Sequence, residues 1–269
     1  MTQPAWFNGV NPKIPSVARI YDFMLGGKDN FEADRAAAKV LTEKMPNFRA
    51  TARENRWFLQ RVLRHLLAAG VRQILDIGTG LPTAGNVHEI ASTAKVVYVD
   101  NDPDVLVHAR ALLADTDRVR VIGEDARDPD AILTHPEVRD FLDWREPVGV
   151  LMIGLLHFIP DADGAYDIVE RIKAALSPGG YVAISHGTED YRPRAEWMQT
   201  VQEQYRSSNA QPIMRSYEQI LPFFEGCDMV EPGLVNVLEW HPGGTTEGRP
   251  PEQIPLYGGV GKIVTAAAA

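Results

Sequence analysis

The stretch Val71-Arg-Gln-Ile-Leu-Asp76-Ile-Gly78-Thr-Gly80 decides the fold of this chain. A short apolar strand that runs into two glycines lets the backbone approach a ligand closely, with a helix N-terminus behind it. A second apolar run, Lys95-Val-Val-Tyr-Val-Asp100, ends in another acid at the spacing typical of a partner for ribose hydroxyls. The two segments together predict a nucleoside-containing cofactor at the carboxyl edge of a parallel sheet.

The residues after Gly80 bear on which cofactor this is. A dinucleotide site favours a third small residue, but Thr83 occupies that position and Pro82 removes one of the N–H donors that a pyrophosphate would use. Asp76 also places negative charge where a dinucleotide brings its phosphates. It suits a ligand with positive charge, and S-adenosylmethionine (SAM) carries both an ammonium and a sulfonium. An NAD-dependent oxidoreductase is therefore disfavoured.

The same residues resemble the first motif of class I SAM-dependent methyltransferases, D-x-G-x-G, with Asp100 matching the acid after the second strand. The resemblance implies that Asp76 faces the amino-acid portion of SAM, that Gly78 and Gly80 admit the cofactor and that Asp100 binds the ribose. It further implies that Asp125 accepts from the adenine amino group and that the Ala126 N–H reaches a ring nitrogen, although a solvated acidic turn before Pro129 is the alternative. Three further residues are expected at the cofactor: Thr79, Asn101 and Leu155.

The N-terminal segment is the most distinctive part of the sequence. Its run Arg19-Ile-Tyr21-Asp22-Phe-Met-Leu-Gly26-Gly27-Lys28-Asp29-Asn30 and the segments 53–59 and 75–83 closely resemble an uncharacterised SAM-methyltransferase family common in actinomycetes, once described as a domain of unknown function. The similarity covers nearly the whole chain. It implies the fold, SAM as cofactor and S-adenosylhomocysteine (SAH) as product, but it gives no substrate.

Alternating apolar and helical segments predict a Rossmann-like α/β fold. We expect strands at 73–77, 95–99, 119–122, 148–153 and 181–185, with helices near 83–92, 103–114, 130–142 and 162–176. Helices near 193–207 and 216–224, a strand at 234–240 and a last strand at 257–264 follow. Near-continuous Val, Ile and Leu indicates a sheet covered on both faces. The resemblance implies seven mostly parallel strands with an antiparallel last strand.

Residues 1–70 are predicted to form a helical cap or lid before the SAM-binding domain at 71–269. Asn30 or Asp29 is expected to cap a helix that ends near Met45, and a longer helix from about Ala50 carries an apolar stripe that packs on the sheet. The break at Gly26-Gly27 lets the preceding segment fold over the cofactor. Arg19, Tyr21 and Lys28 are expected on the acceptor side; the alternative is that they anchor the cap.

Two histidines follow strands at the same predicted sheet edge. His157 lies in a segment that resembles the L-H-x-x-P-D pattern of small-molecule methyltransferases, and it is the first candidate for a general base, with His186 second. A structural or cofactor-edge role for His157 is the alternative. An acceptor hydroxyl requires such a base, whereas an amine that loses its proton before binding does not.

Composition narrows the class of protein. The 269 residues carry a formal net charge of −9, which argues against a nucleic-acid-coating surface, and the single cysteine, Cys227, fits a reducing cytoplasm. The N-terminus shows no signal peptide, the apolar run at 148–156 is too short for a membrane span, and the scattered histidines suggest no metal site. We expect a cytoplasmic methyltransferase for a small-molecule acceptor, monomeric or homodimeric. A non-catalytic SAM- or SAH-binding regulatory protein remains the alternative.

Overall fold

A computed structural model describes residues 10–83, 85–113, 116–191, 212–241 and 249–264. One eight-stranded sheet forms the centre, in the order β3-β2-β1-β4-β5-β8-β6, with β7 paired to β8. The strands are β1 Gln73–Ile77, β2 Lys95–Asp100, β3 Val119–Gly123, β4 Gly149–Ile153, β5 Tyr181–Gly187, β6 Cys227–Met229, β7 Val235–Asn236 and β8 Leu256–Ile263. β1 to β5 are parallel, and β8 runs antiparallel to β5, β6 and β7.

The strand order reverses between β1 and β4. The chain moves outward from β1 through β2 to β3 and then returns to place β4 on the other side of β1. At such a point the connections that follow the two neighbouring strands run apart and leave a crevice outside the carboxyl ends of the strands. Open α/β sheets bind their ligands in this crevice. The Gly78–Gly80 loop leaves β1 at this crevice.

The C-terminal part of the sheet differs from the prediction. The strand expected at 234–240 is limited to Val235–Asn236, because the Asn236 side chain then accepts from the Leu238 N–H and turns the chain. The short strand β6, Cys227–Met229, was not predicted, and it raises the number of strands from seven to eight. It packs closely on β8, where a Cβ on Gly261 would lie 2.7 Å from the Cβ of Cys227. Three residues with a charge in the middle gave no strand pattern in the sequence.

The helices are α1 Val17–Leu25, α2 Glu32–Lys44, α3 Phe48–Ala68, α4 Val87–Ile90, α5 Pro103–Leu113, α6 Pro129–Thr134, α7 Pro136–Arg139, α8 Ala165–Ala174 and α9 Tyr217–Ile220. The helix predicted at 130–142 is split at Pro136, since a proline disfavours helical backbone in the residue before it. The one predicted at 216–224 continues beyond α9 as a 3-10 turn, and the one predicted at 193–207 lies outside the described residues.

The start of α2 also differs from the prediction. Neither Asn30 nor Asp29 caps the helix; instead the Phe31 N–H donates to the carboxylate of Asp34 at 2.8 Å. The Asn30 side chain donates to Asp22 at 2.8 Å. The cap of α2 is therefore built from within its own first turn, and Asn30 is free to join the contacts of α1.

Apolar side chains pack on both faces of the sheet. The predicted stripe of α3, with Phe58, Val62 and Leu66, covers one face, and α6, α7 and α8 contribute to the core on the other. α1 and α2 build a separate cluster around Ile20, Met24 and Leu41. The element that stands over the carboxyl edge therefore consists of α1, α2 and the first turns of α3, while the rest of α3 belongs to the sheet. None of the helices in the described ranges is long and apolar enough to cross a bilayer.

Candidate functional site

A cavity of about 320 Å³ lies at the carboxyl edge of the sheet, below α1 and α3. Its volume is that of an ordinary small-molecule pocket. The structure brings most of the predicted site residues to its wall: Tyr21, Asp76, Gly78, Thr79, Gly80, Asp100, Asn101, Asp125, Ala126, Leu155 and His157. Arg19, Lys28 and His186 are not among its lining residues.

The two glycines of the first loop have different tasks. Both adopt positive φ, +73° at Gly78 and +66° at Gly80, a region that L side chains rarely occupy. A Cβ on Gly78 would lie 2.6 Å from the side chain of Leu155, so this glycine permits close packing of the loop after β4. A Cβ on Gly80 would meet nothing within 4 Å. Gly80 therefore leaves an open backbone surface at the cavity.

Asp100 is held in place by backbone donors. One carboxylate oxygen accepts from the Gly80 N–H and the other from the Asp102 N–H, each at 2.9 Å. Burial nevertheless raises the pKa of Asp100 to about 6, against the opposing effect of these hydrogen bonds. Each oxygen keeps a further lone pair, so the carboxylate is oriented and still able to accept from a ligand hydroxyl.

Asp76 is a buried carboxylate at the floor of the cavity, with 6% of its surface exposed. Burial raises its pKa to about 7, and the positive charge of Arg56 partly opposes this rise. Within the described part of the chain no hydrogen-bond donor is directed at this carboxylate. A cationic ligand group would supply the missing partner and would favour the ionised form.

Arg56 is a site residue to which the sequence analysis gave no role. It lines the cavity, its Nε is buried without a hydrogen-bond partner among the described residues, and its guanidinium carbon lies 6.0 Å from the ring centre of Tyr21. A signal was present in the sequence. Asn55 and Arg56 lie one helical turn before Leu59, in line with the apolar stripe of α3. The side of this helix that faces the sheet therefore becomes polar where it passes the predicted cofactor loop.

Asp125 lies at the cavity, but its carboxylate is already engaged. It accepts from the Arg127 N–H at 2.9 Å, the Arg127 guanidinium at 3.1 Å and the Asn101 side-chain amide at 3.0 Å. Asn101 therefore links the loops after β2 and β3. Contacts of Asp125 and Ala126 with an adenine ring remain predictions.

Tyr21 reaches the cavity as the end of a hydrogen-bonded chain. Its hydroxyl donates to the Ala52 carbonyl at 3.0 Å and accepts from the Asn55 amide at 3.3 Å, while the Asn55 carbonyl oxygen accepts from the Ser185 hydroxyl at 2.6 Å. Burial raises the pKa of Tyr21 above its ordinary value. The phenol is thus held neutral and its proton is committed to the backbone.

The expectation that Arg19 and Lys28 face the acceptor is wrong. The Arg19 guanidinium is 4% exposed and pairs with Asp34 and Asp104 at 2.8 Å each. These two carboxylates neutralise its charge inside the protein, so Arg19 joins α1 to α2 and to the start of α5. Lys28 is exposed and does not line the cavity.

Further polar contacts tie α1 to both cofactor loops. The Ser16 hydroxyl donates to Asp102 at 2.7 Å, two residues beyond Asp100. The Thr83 hydroxyl donates to Asp22 at 3.0 Å, just after the glycine loop. The Arg19 pairs are buried and these two contacts are partly buried, which favours a fixed wall of the site over a mobile lid.

The two candidate bases have different environments. His157 lines the cavity, and burial together with the charge of Arg215 lowers its pKa to about 4, so the ring is neutral near pH 7. His186 is fully buried, with Nδ1 bonded to the Gly187 carbonyl at 2.7 Å and Nε2 to the Arg215 guanidinium at 2.7 Å. Both nitrogens of His186 are occupied, so the expectation that it serves as a base is wrong.

No group of three or more His, Cys, Asp or Glu within the described ranges is arranged to hold a metal ion. The cavity instead combines an open glycine turn, an oriented carboxylate, a second carboxylate and a guanidinium. This set of charges suits a ligand that carries ribose hydroxyls, an ammonium and a carboxylate.

Comparison with known proteins supports that assignment. A family model described as S-adenosyl methyltransferase matches residues 7–264. A DUF574 family protein from Streptomyces avermitilis has 41% identity and a TM-score of 0.88, over 94% of this chain and 98% of that one. A candidate methyltransferase from Thermobifida fusca has 36% identity and a TM-score of 0.87, over 94% and 96%. Comparison with curated proteins finds no match.

Proposed function

The chain belongs to the S-adenosyl methyltransferase family, its cofactor is SAM, and from this premise we propose that it methylates an oxygen or nitrogen nucleophile of a small-molecule acceptor. The Rossmann-like sheet and the position of the cavity at its switch point agree with this family. The acidic character of the chain and of the cavity wall supports a small molecule over a nucleic acid as acceptor.

The observation that carries the proposal is that one cavity holds a carboxyl group and a guanidinium, Asp76 and Arg56, each able to take a ligand group of opposite charge. Asp76 is suited to the ammonium of the cofactor, and Arg56, whose Nε is buried without a partner among the described residues, is suited to its carboxylate. Asp100, fixed by the Gly80 N–H, would accept from the ribose hydroxyls. SAM bound in this way would favour the ionised form of Asp76 and would give the buried Nε of Arg56 a hydrogen-bond acceptor.

When bound, SAM supplies a methyl group on a positively charged sulfur, and a nucleophile that takes this methyl group releases SAH. The protein contributes orientation and exclusion of water, since α1 and α3 roof the cavity. His157 is the group placed to accept a proton from an acceptor hydroxyl or to hold an amine by a hydrogen bond. Burial lowers the pKa of His157 to about 4, which makes it a weak base and favours an acceptor that loses its proton readily, like a phenol, or an amine that is already deprotonated.

Titration calorimetry with SAH tests the cofactor assignment. We expect wild-type protein to bind SAH and Arg56→Leu to bind it about ten-fold more weakly, the usual scale for losing a hydrogen bond to a charged group. Arg35→Leu is the control, because Arg35 is an exposed arginine of α2 that does not line the cavity. Equal affinity of Arg56→Leu and wild type would remove Arg56 from the site.

Incubation with methyl-labelled SAM tests the transfer. Label should pass to the small-molecule fraction of a cell extract and not to its protein or nucleic-acid fraction. SAH binding without transfer to any fraction would favour a non-catalytic SAM-binding protein, and transfer to protein or nucleic acid would refute the small-molecule acceptor.

A further inference from the structure

The cavity has a charged side and an uncharged side. Its charged residues come from α3, from the carboxyl ends of β1 and β2 and from the loops after β2 and β3: Arg56, Asp76, Asp100, Asp102, Glu124, Asp125 and Arg127. A second set of lining residues carries no charge and includes apolar side chains that belong to, or pack against, the hydrophobic cluster of α1 and α2: Val17, Met45, Phe48, Ala52, Phe158 and Met214. The amino-acid and ribose ends of the cofactor are accounted for by the charged side, which leaves the apolar side for the acceptor.

Resting on the methyl transfer proposed above, we propose that this uncharged side binds the acceptor and selects a neutral aromatic molecule with one hydroxyl or amino nucleophile. The described residues on this side offer no charged partner, so an ion placed there would lose its hydration without compensation from them. Phe48 and Phe158 line this side, and aromatic side chains pack favourably on a flat ring. Met45 and Met214 also line it, and methionine sulfurs make favourable contacts with aromatic edges.

The polar side chains on this side leave little capacity for an acceptor with many hydroxyl groups. The Tyr21 hydroxyl donates to Ala52, the Thr51 hydroxyl donates to the Asn47 carbonyl at 3.0 Å, and the Asn55 side chain bonds to both Ser185 and Tyr21. His157 remains as a hydrogen-bonding ring at the cavity. A single nucleophilic group on an otherwise apolar acceptor matches this inventory, whereas a sugar does not.

An anionic acceptor is the strongest competing class, because Arg56 could pair with it. The charge of Arg56 also partly opposes the rise in the pKa of Asp76, so Arg56 belongs to the charged side. In the cofactor complex the carboxylate of SAM or SAH would occupy it. The SAH complex is therefore the state in which the two classes can be distinguished.

The test is a calorimetric titration of SAH-saturated protein with four matched compounds. They are 2-naphthol, 2-naphthoate, 2-naphthylmethylammonium and decahydro-2-naphthol, which are neutral aromatic, anionic, cationic and neutral aliphatic. We expect 2-naphthol to bind at least about ten-fold more tightly than each of the others. Equal or tighter binding of a charged or aliphatic member, or no binding of 2-naphthol, would overturn the proposal.

Two neighbouring positions localise the binding. Met214→Glu places a charge on the uncharged side and should weaken 2-naphthol binding about ten-fold or more, whereas Ile213→Glu, an exposed neighbour outside the cavity, should not. Met214→Gln, which adds polarity without charge, should give an intermediate loss and serves if the glutamate variant does not fold. Unchanged binding in a folded Met214 variant overturns the proposal.

SAH affinity distinguishes a failure of the proposed methyl transfer from a failure of the acceptor proposal alone. It should be the same in wild type and in all three variants, because Met214 and Ile213 lie away from the charged side. If wild-type protein does not bind SAH at all, the proposed methyl transfer fails and the acceptor assignment fails with it. If SAH binds and 2-naphthol does not, only the acceptor assignment fails.

Discussion

Asp76→Asn should have opposite effects on cofactor affinity and on the stability of the free protein. The pKa of Asp76 is raised to about 7, so below pH 7 the group is mostly protonated when the cavity holds no cofactor. Pairing with the cofactor ammonium requires the carboxylate, so binding must release a proton in this range. Affinity for SAH should therefore rise with pH as Asp76 ionises.

The magnitude follows from the ionised fraction of Asp76. With a pKa of about 7 this fraction rises from roughly 0.03 at pH 5.5 to roughly 0.5 at pH 7, which is an increase of about fifteen-fold in apparent affinity. This range lies below the pH at which an α-amino group loses its proton, so the ligand stays cationic throughout. Asp100, with a pKa of about 6, also titrates here, and the difference between the wild-type and Asp76→Asn profiles isolates the share of Asp76.

The stability effect has the opposite sign. A carboxyl whose folded pKa is raised stabilises the folded state at low pH, and this contribution is lost as pH rises from about 4 through 7. For a change from 3.8 to about 7, the free energy of unfolding of the wild type without cofactor should fall by about 2–3 kcal/mol between pH 5 and pH 8 through this group. Asp76→Asn removes that loss and should melt at a higher temperature than wild type at pH 8.

Calorimetry in two buffers of different ionisation enthalpy measures the proton release directly, and thermal melts from pH 5 to 8 measure the stability term. Asp140→Asn is the control, because Asp140 is exposed and pairs with Arg139 on the surface. The reasoning is refuted if Asp76→Asn binds SAH with wild-type affinity and keeps the wild-type pH profile. It is also refuted if the variant is less stable than wild type at pH 8.

Three further predictions concern the loops and the roof of the site. Asp100→Ala should weaken SAH binding by about 1.5–3 kcal/mol in calorimetry, with a smaller loss for Asp100→Asn, which keeps one acceptor oxygen; a loss below a few tenths would remove Asp100 from the site. Gly80→Val should abolish SAH binding because φ of +66° disfavours a side chain and because that side chain would enter the open space, while circular dichroism shows a retained fold; wild-type affinity would contradict this. Arg19→Met leaves Asp34 and Asp104 buried without their partner, so trypsin should cut the variant between Lys13 and Arg35 faster than wild type; rapid cutting of wild-type protein without SAH at the same sites would instead establish a mobile lid.

The meeting of Asp76, Gly78, Gly80 and Asp100 at one sheet edge could be predicted from sequence because its signals are local. Asp76, Gly78 and Gly80 follow one strand and Asp100 ends the next, so their meeting at one edge follows from parallel pairing alone. Their local conformation also follows from residue type, since positive φ is inexpensive only for glycine.

The surroundings of Arg19 and His186 could not be predicted in the same way because they depend on tertiary packing. Arg19 is a polar residue in a distinctive segment, and nothing in its neighbours along the chain shows that Asp34 and Asp104 will enclose it. His186 lies within β5, which extends to Gly187, and Arg215, which occupies its Nε2, comes from a segment twenty-nine residues later. A sequence pattern gives the edge at which such a side chain emerges and not the partner that it meets.

The position of β8 has a consequence for how the protein is made. This strand is the last in chain order, yet it lies between β5 and β6, and its Gly258 sits against the ring of Phe58 on α3. Until β8 has been translated, the edge of β5 that pairs with it has no partner strand. The apolar stripe of α3 likewise lacks part of the sheet surface on which it packs. Such long-range pairing slows folding and leaves an open strand edge in the nascent chain. A binding site encoded largely in the first two strands therefore lacks part of its supporting sheet until β8 has been translated.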